Sequence, residues 1–72
     1  MYNYHINVFY SRDDEGFIAD IPDLKYCSAF GETPEEAVAE VMVAQRLWLE
    51  SAAADGIDPP KAKYQPLICK LG

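Results

Sequence analysis

The sequence predicts an α+β fold with the order β-β-β-α-β, in which one long helix packs on one face of an antiparallel sheet. Three observations predict it: short stretches that alternate apolar and polar residues, short polar turns between them, and one long segment with helical apolar spacing. With 72 residues there is room for one domain, 1–72, built around one small core. The sequence contains no repeat or linker that divides it.

Three strands are predicted in the first half of the chain. The first covers 2–10, where even positions are apolar or aromatic and odd positions are mostly polar. The polar run 12–16 ends in glycine, as a hairpin loop does. The second strand, 17–21, ends at Pro22, and the third, 26–30, is short. Such short connections predict an antiparallel meander.

The stretch from Thr33 onward predicts the start of the helix. Thr33 is placed to be the N-cap, with its hydroxyl accepting from the amide of Glu36 and the Glu36 carboxylate accepting from the amide of Thr33. Pro34 suits the first helical position. We expect the helix to run over 34–54 and to stop at Gly56.

The helix is predicted to have one core face and one additional apolar strip. The core face consists of Ala37, Val38, Val41, Ala44, Gln45, Trp48, Leu49 and Ala52. Val43 and Leu47 lie away from that face and form the helix strip, which needs another surface to cover it. We therefore expect the helix strip to contact a second subunit or a partner, or to have no role.

The end of the chain is predicted to be an extended connection followed by a last strand. The connection, 57–63, contains a proline pair, and the strand covers 64–71. Pro66 in that strand indicates an edge position or a bulge. An edge strand, a small core and the helix strip together favour a homodimer or larger homo-oligomer such as a tetramer.

Charge and composition restrict the possible partners. The net charge is −6 and the sequence pI is about 4.4, so direct nucleic-acid binding is disfavoured and attraction to a basic protein is favoured. No apolar run is long enough to cross a membrane and no signal peptide is evident, which predicts a cytoplasmic protein. Cys27 and Cys69 lack metal-site spacing and are expected to be buried thiols rather than a disulfide.

The sequence predicts no enzyme, cofactor or metal site. Its one histidine, His5, lies on the more polar face of the first strand, and no glycine-rich phosphate loop is present. The acidic side chains at and around the second strand suggest a metal-dependent nuclease as an alternative. Only Asp20, however, projects from a strand, so a rigid set of metal ligands is missing.

The runs 14–24 and 31–37, with Cys27 between them, resemble the HicB family of antitoxins in order and spacing. The resemblance includes the later segment 47–50 and the proline pair. It departs from the family at Lys25 and Tyr26, where proline and glycine are common, and the chain ends at Gly72, without the C-terminal DNA-binding domain of many members.

The resemblance implies a partial ribonuclease-H-like fold without ribonuclease activity. It also implies a small basic partner, the HicA-like toxin, which cleaves messenger RNA and whose active surface the antitoxin covers. The residues expected to attract that partner are acidic: Asp13, Asp14, Glu15, Asp20 and Asp23. The alternatives are an orphan oligomeric module with an unknown ligand and the metal-dependent nuclease.

Overall fold

The computed structural model describes residues 3–65. Its elements are β1 (Asn7–Ser11), β2 (Gly16–Asp20), β3 (Ser28–Gly31) and α1 (Pro34–Ala54). The strands form one antiparallel sheet in the order β1-β2-β3, with β2 in the centre. The predicted meander followed by one long helix is confirmed. The predicted last strand, 64–71, lies outside the described residues from position 66 onward.

The start of α1 is fixed by local hydrogen bonds. The Thr33 hydroxyl accepts from the amide of Glu36 at 3.1 Å, and Pro34 occupies the first turn, both as predicted. The Glu36 carboxylate, however, accepts from the amide of Glu32 at 3.3 Å, so the predicted acceptance from Thr33 was wrong by one residue. The amide of Glu32 lies just before the cap, within reach of the flexible Glu36 carboxylate.

The end of α1 is a glycine-terminated cap. Gly56 has a φ of 69°, and its amide donates to the carbonyl of Ala53 at 3.1 Å. The amide of Ile57 donates to the carbonyl of Ala52 at 2.8 Å. These two bonds form a Schellman motif, which satisfies carbonyls that the last helical turn leaves free. The predicted stop at Gly56 is confirmed.

The core lies between α1 and the sheet. It is formed by Tyr4, Ala19, Ile21, Leu24, Cys27, Ala37 and Val41. Every residue of the predicted core face of α1 is buried or half-buried, so that prediction is confirmed. The part of the chain that the structure describes contains no candidate membrane-spanning helix.

The first strand is shorter than predicted. Residues 3–6 lie outside β1, because β1 pairs with β2 only as far as Asn7 opposite Asp20 and Pro22 follows soon after. Tyr4 is nevertheless buried, and its hydroxyl donates to the carbonyl of Pro60. This contact joins the segment before β1 to the segment after α1.

The sheet is only partly covered by the helix. α1 packs mainly over β3 and β2, and much less over β1. Val8 and Tyr10, on the face of β1 predicted to be buried, are consequently exposed to 39% and 55%. The prediction of a buried even face in the first strand was therefore wrong for these two residues.

Candidate functional site

Three of the predicted acidic residues lie together in the turn between β1 and β2. Asp14 accepts a hydrogen bond from the Ser11 hydroxyl at 2.8 Å, which holds its carboxylate within the turn. Asp13 and Glu15 are exposed and have no hydrogen bond or ion pair within residues 3–65. The turn thus presents two exposed carboxylates to an approaching partner.

Asp20 lies at the opposite end of β2 from that turn. Four residue steps along the strand separate Gly16 from Asp20, a distance of about 13 Å. Asp20 is half-buried and pairs with Asn7 on one side and Ser28 on the other. Asp20 and the turn therefore belong to two different ends of the sheet.

Asp23 has an internal partner. Its carboxylate accepts from the amide of Lys63 at 3.2 Å and from the amide of Tyr64 at 3.1 Å. These bonds fasten the segment after the helix to the loop after β2. The structure thus gives Asp23 a structural contact, and it does not bring the five predicted acidic residues together at one site.

The helix strip is exposed, as its position on the helix predicted. Val43 is 43% and Leu47 is 56% exposed. Within residues 3–65, nothing packs over them closely enough to bury either side chain. Contact of the strip with a second subunit or partner stays a prediction.

A second exposed apolar surface lies on the sheet face that points away from α1. Phe9 pairs with Ile18, and Ile18 pairs with Phe30, so these three side chains form one row across all three strands. We call it the sheet-face row. The odd-numbered face of the first strand, which includes Phe9, was predicted to be mostly polar, and the row was not predicted. A signal was present, because the face of each strand that contributes to the row carries one large apolar residue.

Tyr26 is held in an unusual conformation beside this face. Its φ is 60°, a left-handed value that costs a non-glycine residue about 1 kcal/mol, and its side chain is 95% exposed. The Trp48 ring nitrogen donates to the carbonyl of Lys25 at 3.0 Å, and the Cys27 amide donates to the carbonyl of Leu24. This conformation explains why the third strand begins at Ser28 and not at the predicted position 26.

The strain at Tyr26 leads to a stability prediction. Tyr26→Asn should raise the free energy of unfolding by about 0.5–1 kcal/mol, because asparagine tolerates the left-handed region and little packing is lost. Urea unfolding measures the change, with Lys25→Asn as the neighbouring control. A destabilised Tyr26→Asn variant would contradict the assignment of strain to this residue.

The other potentially reactive side chains in the described residues are the Cys27 thiol and the His5 imidazole. Burial, with a smaller contribution from the charge of Asp20, raises the pKa of the Cys27 thiol and so keeps it protonated at neutral pH. Cys27 is a buried free thiol, as predicted, while Cys69 lies outside the described residues. His5 is half-buried and hydrogen-bonds Asn7 at 2.7 Å. Within residues 3–65, no three potential ligands among His, Cys, Asp and Glu are grouped to hold a metal ion.

Comparison with known proteins identifies a relative. No family model matches the sequence, and no solved structure matches it significantly. A UPF0150 protein of Synechocystis sp. is 50% identical over 50 residues, which cover 69% of this chain and 67% of the relative. Identity of this level over two thirds of both chains shows common ancestry. The chain therefore belongs to the UPF0150 family.

Proposed function

We propose that this chain is an antitoxin-like binding protein that holds a small, basic, RNA-cleaving protein of the HicA type inactive by covering its RNA-binding surface. The observation that carries the proposal is the resemblance to HicB antitoxins over β2, the loop after it, β3 and the cap of α1. Membership of the UPF0150 family and an α+β fold are compatible with it. The chain binds its partner and performs no catalysis.

The charge of the chain supports a basic partner. A net charge of −6 on 72 residues creates a negative potential that raises the encounter rate with positively charged proteins and repels RNA. Asp13 and Glu15, exposed at the tip of the β1–β2 hairpin, are the carboxylates that an approaching partner meets first. An antitoxin must bind before the toxin reaches RNA, so a fast encounter serves the function.

Coexpression tests the proposal in cells. The HicA-type protein of the same organism is expressed alone and together with this chain, and growth and messenger RNA integrity are measured. The proposal predicts growth arrest with the toxin alone and recovery with the chain present. Continued arrest despite equal amounts of both proteins would contradict it.

Charge reversal in the hairpin should slow binding. Asp13→Lys with Glu15→Lys changes the net charge from −6 to −2, since each reversal adds two charges. We expect the association rate at low salt to fall about tenfold and its salt dependence to weaken, with the dissociation rate little changed. Asp14 is left intact because it stabilises the turn.

The matched control places the same charge change on the helix. Glu40→Lys with Glu50→Lys alters two exposed carboxylates and also gives a net charge of −2. Stopped-flow kinetics of each variant with the toxin compares the two positions. If both variants slow association equally, only the net charge matters and the position of the carboxylates does not. Unchanged association rates in both variants would contradict electrostatic steering.

A second candidate function is an oligomeric module with an unidentified ligand. The exposed helix strip, Val43 and Leu47, favours it, because self-association would cover these side chains. A native mass of two or four subunits, lowered by Leu47→Ser, would support the oligomer.

The third alternative is a nuclease that uses Asp20 and a divalent metal. It predicts metal-dependent RNA cleavage that Asp20→Asn abolishes.

A further inference from the structure

The sheet face opposite α1 has an apolar centre. The helix covers the other face, where Ala19 packs in the core with Ala37 and Val41. An antiparallel sheet with one covered face normally has polar residues on its open face. Here the open face has the sheet-face row, in which Phe9 is 50% exposed, Phe30 is 43% exposed and Ile18 is half-buried between them.

Glycine makes room for one ring of this row. A Cβ atom at Gly16 would lie 2.4 Å from each of two ring carbons of Phe30. The Phe30 ring therefore lies over the backbone of β2 in the place that a side chain at position 16 would take. The ring extends the apolar surface along the sheet as well as across it.

A polar row borders the apolar one. Asn7, Asp20 and Ser28 pair directly across the three strands and lie two positions from the sheet-face row on the same face. Asp20 and Ser28 also line a concavity of about 350 Å³ together with Tyr26 and the cationic residue Lys25. The exposed ring of Tyr26 and the carboxylate of Asp20 thus border one hollow at the edge of an apolar surface.

We propose that this sheet face is the surface that seats the basic partner, with the sheet-face row as the apolar centre and the Asp20 carboxylate beside it as the acceptor for a lysine or arginine side chain. The inference rests on the proposed function and assigns the surface that binds the partner. A few buried aromatic and aliphatic side chains carry most of the affinity of an interface, and tyrosine is frequent among them. A partner cation beside the row would form a charge-assisted hydrogen bond with the Asp20 carboxylate.

The negative charge of the chain favours a basic partner on this face over a second copy of the same chain. Two copies joined through this face would bring their Asp20 carboxylates into one interface while each chain carries a charge of −6. Like charges placed together in an interface oppose association. A basic protein instead supplies the complementary charge around the apolar row.

Photo-crosslinking in cells tests the position of the partner. Benzoylphenylalanine is placed at position 9 or 30 in the sheet-face row, or at position 47 in the helix strip as the control, in the full chain. We expect crosslinks from positions 9 and 30, and not from 47, to one small basic protein identified by mass spectrometry. Crosslinks from 9 or 30 to a second copy of the chain, crosslinks to the basic protein from 47 alone, or no crosslinks from 9 and 30 would overturn the proposal.

Binding of that purified protein then tests the individual side chains. Phe9→Thr and Phe30→Thr should each raise Kd about 10- to 100-fold, and Asp20→Asn about tenfold, while Met42→Thr, at an exposed position of α1 outside the helix strip, leaves Kd within about twofold. Threonine retains strand propensity, and circular dichroism checks the fold of each variant. Kd values unchanged in all three sheet-face variants would overturn the proposal.

An RNA-cleavage assay on the crosslinked protein separates the two proposals. A basic protein that binds through the sheet face but cleaves no RNA would leave the surface assignment standing and overturn the toxin partner. A toxin that is inhibited equally by wild-type chain and by the sheet-face variants would leave the function standing and overturn the surface assignment.

Discussion

Replacing Gly31 by alanine should lower the free energy of unfolding by about 3 kcal/mol or more. A Cβ atom at this position would lie 2.3 Å from the amide nitrogen and 2.7 Å from the Cα of Ala37, and 2.7 Å from the carbonyl carbon of Glu36. These are backbone atoms in the first turn of α1, so no side-chain rotation relieves the clash. The helix would have to move away from β3, which costs more than ordinary overpacking.

Gly56→Ala is the control for this substitution. Gly56 has open space around it but a φ of 69°, so alanine there should cost about 1 kcal/mol through backbone conformation alone. The free energies of unfolding of both variants, measured in urea, separate the effect of the steric clash at Gly31 from the effect of backbone strain at Gly56. Equal losses at the two positions would contradict the proposed close contact between Gly31 and the helix.

Leu24→Ala should have a comparably large effect, about 2–5 kcal/mol. Leu24 is 2% exposed and belongs to the core with Ile21 and Val41. Its amide also donates to the carbonyl of Ile21 at 3.0 Å, so the loop after β2 holds the side chain in place and the cavity left by alanine cannot close easily. The measured quantity is again the free energy of unfolding in urea.

Leu47→Ala is the matched control for the core substitution. Leu47 is 56% exposed on α1, so its truncation should change stability by less than about 0.5 kcal/mol. A chain of 72 residues is expected to have a stability of about 4–11 kcal/mol, so Leu24→Ala removes a large part of it. Similar losses for the two leucines would contradict the division into core and surface.

Local signals made the helix predictable. Thr33, Pro34 and Gly56 define its ends through hydrogen bonds and backbone angles within a few residues, and both ends were predicted correctly. Its core face followed from the spacing of apolar residues. These features depend on short stretches of sequence, which is why sequence alone was sufficient.

The strands were less predictable because their limits depend on their partners. The pairing of β1 ends where β2 ends, and the position of α1 over β3 and β2 decides which side chains of β1 are buried. The left-handed φ of Tyr26 could not be foreseen either, since the surrounding loop imposes it on an unfavourable residue.

The candidate site was predicted only in part. The exposure of Asp13 and Glu15 follows from their position in a polar turn, whereas the internal contacts of Asp23 depend on residues about 40 positions away. The sheet-face row depends on the register of three strands. Alternation within one strand could not show that its exposed apolar residues lie side by side.

Titration of RNA cleavage tests the central claim most directly. The purified HicA-type protein is incubated with messenger RNA and increasing amounts of this chain, and intact RNA is quantified. We predict that cleavage decreases with added chain and stops at a fixed molar ratio, at which native mass spectrometry shows a complex of both proteins. Undiminished cleavage at a large excess of correctly folded chain would contradict the antitoxin-like function.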